Sequence, residues 1–203
     1  MHVSERVIVY IDYENARRGA REAFNQGWDA PPQAGHFDPL AVGLKITEAG
    51  GADGAPRELV EVRVYRGQPH PEKQSGAHAA WERQAAQWRR DHRVRVVHRV
   101  LNYRGWNDGE RPREKGVDVA LAVDFVADAI RGRYDVGILF SADTDLRPAL
   151  EFVREEHRCR AEVAAWRSPF QRSYSLAQRG MWCHWLDEAA FSAVEDKRNY
   201  VRP

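Results

Sequence analysis

Residues 135 to 150 read DVGILFSADTDLRPAL, and the change of character halfway along decides the fold. Val136 to Phe140 is a short unbroken apolar run, the length of a strand buried on both faces. At Ser141 the chain turns polar and then opens a helical pattern that reaches His157, with Pro148 tolerated in the first turn. A buried strand running into a helix is the unit of an open α/β sheet, and ligands bind such sheets outside the carboxyl ends of the strands. Asp143 and Asp145 fall at that corner. One aspartate there is accounted for by helix capping, because its carboxylate accepts backbone N–H groups and suits the positive end of the helix dipole. A helix start uses a single N-cap, so the second acid calls for another reason.

The first strand repeats the arrangement. Arg6 to Ile11 (RVIVYI) is β-branched and apolar, and it ends in Asp12-Tyr13-Glu14-Asn15 before a helical stretch from Ala16 to Phe24. If the two strands are neighbours and parallel, Asp12 and Asp143 emerge on one edge. Asn15 reads as a cap for the following helix or as a residue holding a carboxylate or water in a site.

Further along, Phe37 to Ala49 is expected to be helical, with Asp38 as N-cap and Pro39 at the first helical position. Glu58 to Tyr65 alternates as a strand, and Arg66 to Ser75 reads as a loop at its end. Gly76 to His92 reads as a helix burying Trp81, Ala85 and Trp88, and Arg93 to Leu101 as a third strand with His98 packed or at an edge. Asn102 to Gly116 is polar and basic and reads as a mobile lid or a substrate-contacting loop, with Trp106 exposed. Val117 to Ile130 is an amphipathic helix. Asp118 lies in its first turn and so reaches the carboxyl edge, whereas Asp124 suits a solvated or capping role. Ala161 to Trp166 is a strand, Met181 to Leu186 an edge strand and Asp187 to Glu195 a terminal helix. Between them, Ser173, Tyr174 and Ser175 are placed to meet substrate.

The chain of 203 residues is long enough for one α/β domain with a proper core, taken here as 1–203 with its centre at about 6–166 and an extension over 167–203. No apolar run approaches a membrane span, and the first residues carry no signal-peptide apolar region. Cys159 and Cys183 form no C-x-x-C pair, which fits a reducing cytoplasm and argues against structural zinc. Net charge is +1, so the whole molecule is not a polybasic binder. Its arginines nevertheless crowd the middle of the chain, among them Arg89, Arg90, Arg95, Arg99, Arg104 and Arg113, with Lys115. Such a block is either a solvated face or a surface for a polyanion.

The candidate acids are therefore Asp12, Asp118, Asp143 and Asp145. Two ionised carboxylates about 5 Å apart repel by roughly 3 kcal/mol at an effective dielectric near 20, so four in one pocket retain protons or gather cations. An all-oxygen donor set suits Mg²⁺ or Mn²⁺. No serine–histidine or cysteine–histidine arrangement competes, and there is no Gly-rich phosphate loop.

IDYEN at 11–15, KGVDVALAVD at 115–124 and SADTD at 141–145 together resemble the NYN family of PIN-like nucleases, in the branch called LabA-like or DUF88. The resemblance implies a three-layer α/β/α sandwich on a mainly parallel sheet and metal-dependent cleavage of RNA in the cytoplasm. It implies metal-binding roles for Asp12, Asp118 and Asp143, with Asp145 completing the site and Asn15 positioning a ligand or water. Arg104, Arg113, Lys115, Ser141 and Thr144 are then the residues expected to meet RNA. A homodimer and an inhibitory protein partner stay open. Members commonly carry Gly where this chain has Ala142, and the segments 27–56 and 66–75 fit no pattern. Two other readings remain at this point: a haloacid-dehalogenase-like phosphatase, with Asp12 as nucleophile and Glu14 as acid/base, and a non-catalytic RNA-binding protein of the same fold.

Overall fold

The computed structural model describes residues 4–24, 34–155, 159–169, 176–177 and 180–201. Six strands, β1 (Glu5–Asp12), β2 (Arg57–Gln68), β3 (Val94–Val100), β4 (Val136–Phe140), β5 (Arg160–Trp166) and β6 (Cys183–Leu186), form one sheet. Their order is β3-β2-β1-β4-β5-β6, and every neighbouring pair is parallel. The helices are α1 (Tyr13–Phe24), α2 (Pro39–Ala49), α3 (Ser75–Trp88), α4 (Val117–Ile130), α5 (Arg147–Glu155) and α6 (Glu188–Val194). Among the described residues no helix is long and apolar enough to cross a membrane.

Alternation along the strands sorts the core into two halves. Val7, Val9 and Ile11 of β1, with Ile138 and Phe140 of β4, face α1, α2, α3 and α6. Ile8 and Tyr10, with Leu139 and Val163, face α4 and α5. The outcome is the expected α/β/α sandwich. Both central strands are buried on both faces, which is why each reads as an unbroken apolar run. Gly137 interrupts that run because a Cβ there would lie 2.6 Å from the Tyr134 ring and 2.8 Å from Phe125, which pack against the α4 face of the sheet. The segment after Trp166 supplies β6 and α6, close to the edge strand and terminal helix expected there; Phe191 of α6 packs on Phe24 and Trp166.

Several local expectations are corrected. Helix α1 starts at Tyr13, directly off β1, so Asn15 sits in its first turn and Asp12 takes the capping position, accepting the Asn15 N–H at 3.4 Å. β2 runs to Gln68, so Arg66, Gly67 and Gln68 are strand; pairing with β3 as far as Val100 carries it there. Helix α3 ends at Trp88. Trp106 is half-buried against Tyr103, edge to face at 5.4 Å. The described part of the helix after β4 ends at Glu155, and Ser173, Tyr174 and Ser175 lie outside the described residues.

The largest departure concerns α4. Its Asp128 is buried and accepts from the Tyr10 hydroxyl at 2.7 Å and from Arg63 at 2.6 Å. Asp124, expected in a solvated or capping role, accepts from the Tyr65 hydroxyl at 2.7 Å. The alternating polar residue Arg63 of β2 thus lies beneath α4, 2% exposed, and not in water. Removing one member of such a pair strands the other charge in the interior. Asp128→Ala is expected to lower unfolding free energy by about 2–3 kcal/mol, read from urea denaturation, because Arg63 keeps Glu61 at 2.9 Å but loses its buried counter-charge and the Tyr10 hydroxyl loses its acceptor.

Candidate functional site

The order β3-β2-β1-β4-β5-β6 reverses direction between β1 and β4. At such a switch point the connections leave on opposite faces of the sheet, and a crevice opens at the carboxyl ends of the two strands. Those ends are Asp12 and, one residue past Phe140, Ser141. Residues 129 positions apart in sequence are joined there by one bond: the Ser141 hydroxyl donates to Asp12 Oδ2 at 3.0 Å. The same Oγ accepts the Asp143 N–H at 3.1 Å, and Asp143 Oδ1 accepts the Asp145 N–H at 3.0 Å as the cap of the short 3₁₀ turn that leads into α5. On the other side Asn15 Oδ1 accepts the Ala142 N–H at 2.9 Å. A chain of hydrogen bonds therefore fixes Asp12, Asn15, Ser141 and Asp143 relative to one another.

Asp12 is 7% exposed. Burial pushes its carboxyl up to about 6; bonds from Ser141 and Asn15 oppose the shift, and the nearby Asp143 charge adds to it. Beside it lies an acid that the sequence motifs did not single out. Glu114 accepts the Gly67 N–H, and burial, with Glu14 and Asp12 close by, raises it to about 6 as well. Glu114 immediately precedes the KGVD stretch, but its place depends on a β2 backbone 47 residues away, which no local pattern announces.

The other buried carboxylates are treated differently. Glu14 has Arg17 and Arg66 each at 3.0 Å, and these outweigh its burial and hold it below the ordinary carboxylate range. Asp128 has Arg63, and Glu162 has Arg57 at 2.7 Å with His184 at 2.7 Å. Asp12 and Glu114 have no ion-pair partner among the described residues. The site is locally short of positive charge.

Not every expected residue joins the network. Asp145 contributes its backbone N–H, while its side chain is exposed. Asp118 is half-buried in the first turn of α4, with no hydrogen bond or ion pair among the described residues. Arg104, Arg113, Lys115 and Thr144 are exposed, the first three on the segment between β3 and α4, where Asn102 and Arg113 bridge. Ser141, expected to meet substrate, is 2% exposed and serves as the strut between two acids. Among the described residues no group of three or more His, Cys, Asp or Glu side chains is placed to hold a metal ion. An open pair of carboxylates is what Mg²⁺ commonly takes, since it keeps most of its waters and borrows oxygens from a phosphate. Asp12 and Asp143 offer carboxylate oxygens, a donor type that suits a hard cation.

Next to the network is a cleft of about 270 Å³ between α1 and the carboxyl ends of β4 and β5. Asn15 and Ser141 belong to both.

The family model described as NYN domain matches residues 6–197. A crystal structure of a protein of unknown function from Vibrio parahaemolyticus is similar over 91% of this chain and 94% of its own, with a TM-score of 0.57 and 18% identity. At that identity the likeness concerns the fold. No curated protein matches the sequence.

The charge deficit predicts a pH signature. The folded-state value for Asp12 lies above the ordinary 3.8, so its contribution to stability is complete below about pH 4 and is lost as pH rises through about 6. Asp12→Asn removes that loss. In metal-free buffer the stability of the variant is expected to gain on the parent between pH 4 and pH 7 by on the order of 3 kcal/mol, measured by denaturant titration at each pH.

Proposed function

The chain belongs to the NYN domain family and carries a PIN-like nuclease fold, and from that premise we propose that it is a Mg²⁺- or Mn²⁺-dependent ribonuclease. The observation that carries the reading is the bridge at the switch point from buried Asp12, which has no ion-pair partner among the described residues, through Ser141 to the backbone of Asp143. Asp12 and Asp143 would hold the ion, with Asp118 and Asp145, on the same edge, completing the set when substrate is bound. Such an ion supplies Lewis acidity toward a phosphoryl oxygen and lowers the pKa of a bound water.

The protein's own groups do the rest. Ser141 donates to Asp12, leaving Asp12 oriented and unable to rotate away. Asp143 is held by the Asp145 N–H through one oxygen, and its second oxygen has no partner among the described residues. With its Oδ1 occupied by the Ala142 N–H, Asn15 presents its amide NH₂ as a donor suited to a phosphate oxygen or a water. Arg104, Arg113 and Lys115, exposed on the segment before α4, would attract the sugar-phosphate backbone without reading its sequence. A phosphatase using Glu14 as acid/base is disfavoured by geometry: that carboxylate is locked between Arg17 and Arg66 and kept ionised, so it has no proton to give.

Asp143→Ala is expected to reduce metal-dependent cleavage of a mixed single-stranded RNA pool by at least about 100-fold, several kcal/mol of transition-state stabilisation, with circular dichroism and melting close to the parent. Chelation should abolish the parent's activity and added Mn²⁺ or Mg²⁺ restore it. A folded Asp143→Ala protein that cleaves like the parent would remove this assignment.

A further inference from the structure

Helix α4 is apolar on the side that faces water. Between Val117 and Ile130 every residue is apolar except Asp118, Asp124 and Asp128. Asp128 is buried on Arg63 and Tyr10, Asp124 bonds the Tyr65 hydroxyl, and Asp118 is half-buried in the first turn. The outward positions are taken by Val119, Val123 and Ile130, which stand 60%, 60% and 55% exposed, with Val126 half-buried between them. The neighbouring α5 adds Phe152, also exposed. A surface helix ordinarily carries polar residues on its outer side, and a helix apolar all round is one that is covered all round. Contiguous exposed apolar surface marks a contact site.

The spacing says what shape of ligand fits. From Val119 the row steps by four, three and four residues to Ile130, which is the alternation of a coiled-coil seam. The flanking positions hold Ala120, Ala122 and Ala127, all half-buried. β-branched knobs lined by alanines leave shallow holes on either side, so the axis of a second helix can approach closely. The row itself contains no Trp, Phe or Leu of the kind that anchors an interfacial helix in lipid.

The charges around the row select among helices. Lys115 lies just before α4, and Arg131 and Arg133 just after it; all three are exposed. Along β3, Val94 and Val96 face α3, so alternation turns Arg95 and Arg99 to the α4 face of the sheet, where both are exposed. None of these five cations has an ion-pair partner among the described residues. On α5 the exposed charges are mixed, Arg147 and Arg154 with Glu151 and Glu155. A second copy of this chain would bring the same cations to the same row, and like charge would meet like across the seam. A helix whose apolar stripe is flanked by Asp and Glu meets the valines with its stripe and the cations with its flanks.

We infer that the outer face of α4 is a docking site for an acidic amphipathic helix of another protein. The row runs along the side of α4 away from the sheet, and the inference does not depend on the nuclease reading.

The test uses the full chain and a synthetic peptide of about three heptads, with Leu at both seam positions and Glu at the flanking positions, whose own charges keep it from pairing with itself. A twin peptide carries Lys in place of Glu. Binding is read by calorimetry and helix formation by circular dichroism. The Glu peptide is expected to bind the parent at least about 10-fold more tightly than the Lys peptide, and to turn helical on binding. Val123→Glu, at an exposed position that folding tolerates, and the double variant Arg131→Glu, Arg133→Glu are each expected to weaken that binding by at least about 10-fold, with melting curves like the parent's. No binding of the Glu peptide, equal binding of the two peptides, or binding unchanged in either variant overturns the inference. Sedimentation equilibrium and flotation with phosphatidylserine vesicles cover the other occupants. A parent dimer that Val123→Glu dissociates gives the face to a second copy, and vesicle binding lost in the same variant gives it to a lipid surface; either result overturns the helix assignment.

Discussion

Ser141 donates to Asp12 across the seam between β4 and β1, and this contact exists only because the two strands lie side by side. The chain makes β1 and then passes through two further strands on one side of it before β4 returns to pair on the other. That reversal brings two strand ends from distant parts of the sequence to one point and leaves the space above them free of a crossing connection. Asp12 is placed there by a helix that begins without any intervening loop, and Asp143 by the short turn that it caps itself. If β1 and β4 were separated by one strand, about 5 Å further apart, neither the bond nor the pair of acids would form.

The interior of this protein is generous with charge, and the way each charge is balanced distinguishes structure from site. Arg63 with Asp128, Arg57 with Glu162 and Arg66 with Glu14 are neutralised in place. Breaking such pairs is costly, but intact they ask nothing of a ligand. Asp12, buried, and Glu114, half-buried, have no guanidinium paired with them among the described residues. Their carboxyl groups hold protons to a higher pH in consequence, and a cation arriving at the switch point would displace that preference. The same arginines that quiet Glu14 pass close to this region, so the deficit at Asp12 is a matter of reach and orientation and not of composition.

A cleft lies next to the acids, bounded by α1 and the ends of β4 and β5. Trp166 ties the two together, its ring anchored to α1 by a hydrogen bond and packed against Phe140 at 4.9 Å. The segment between β3 and α4 exposes Arg104, Arg113 and Lys115, so positive charge stands in solvent while the acids lie at the sheet edge.

Much of this was legible in the sequence, because it depends on periodicity and on the residues at strand ends. The unbroken apolar runs at β1 and β4 gave a parallel sheet buried on both faces, Asp38-Pro39 gave the start of α2, and the span of α4 was readable to the residue. The three short motifs led to the family. Tertiary structure decided what depends on contacts between distant residues. It made Ser141 a strut between β4 and β1, put Arg63 under α4 with Asp128, and brought Glu114 to the acids through the backbone of Gly67. The physical reason is that a strand or helix is specified by neighbours three or four residues away, whereas the charge balance at a carboxylate is set by whichever side chains the strand order brings against it.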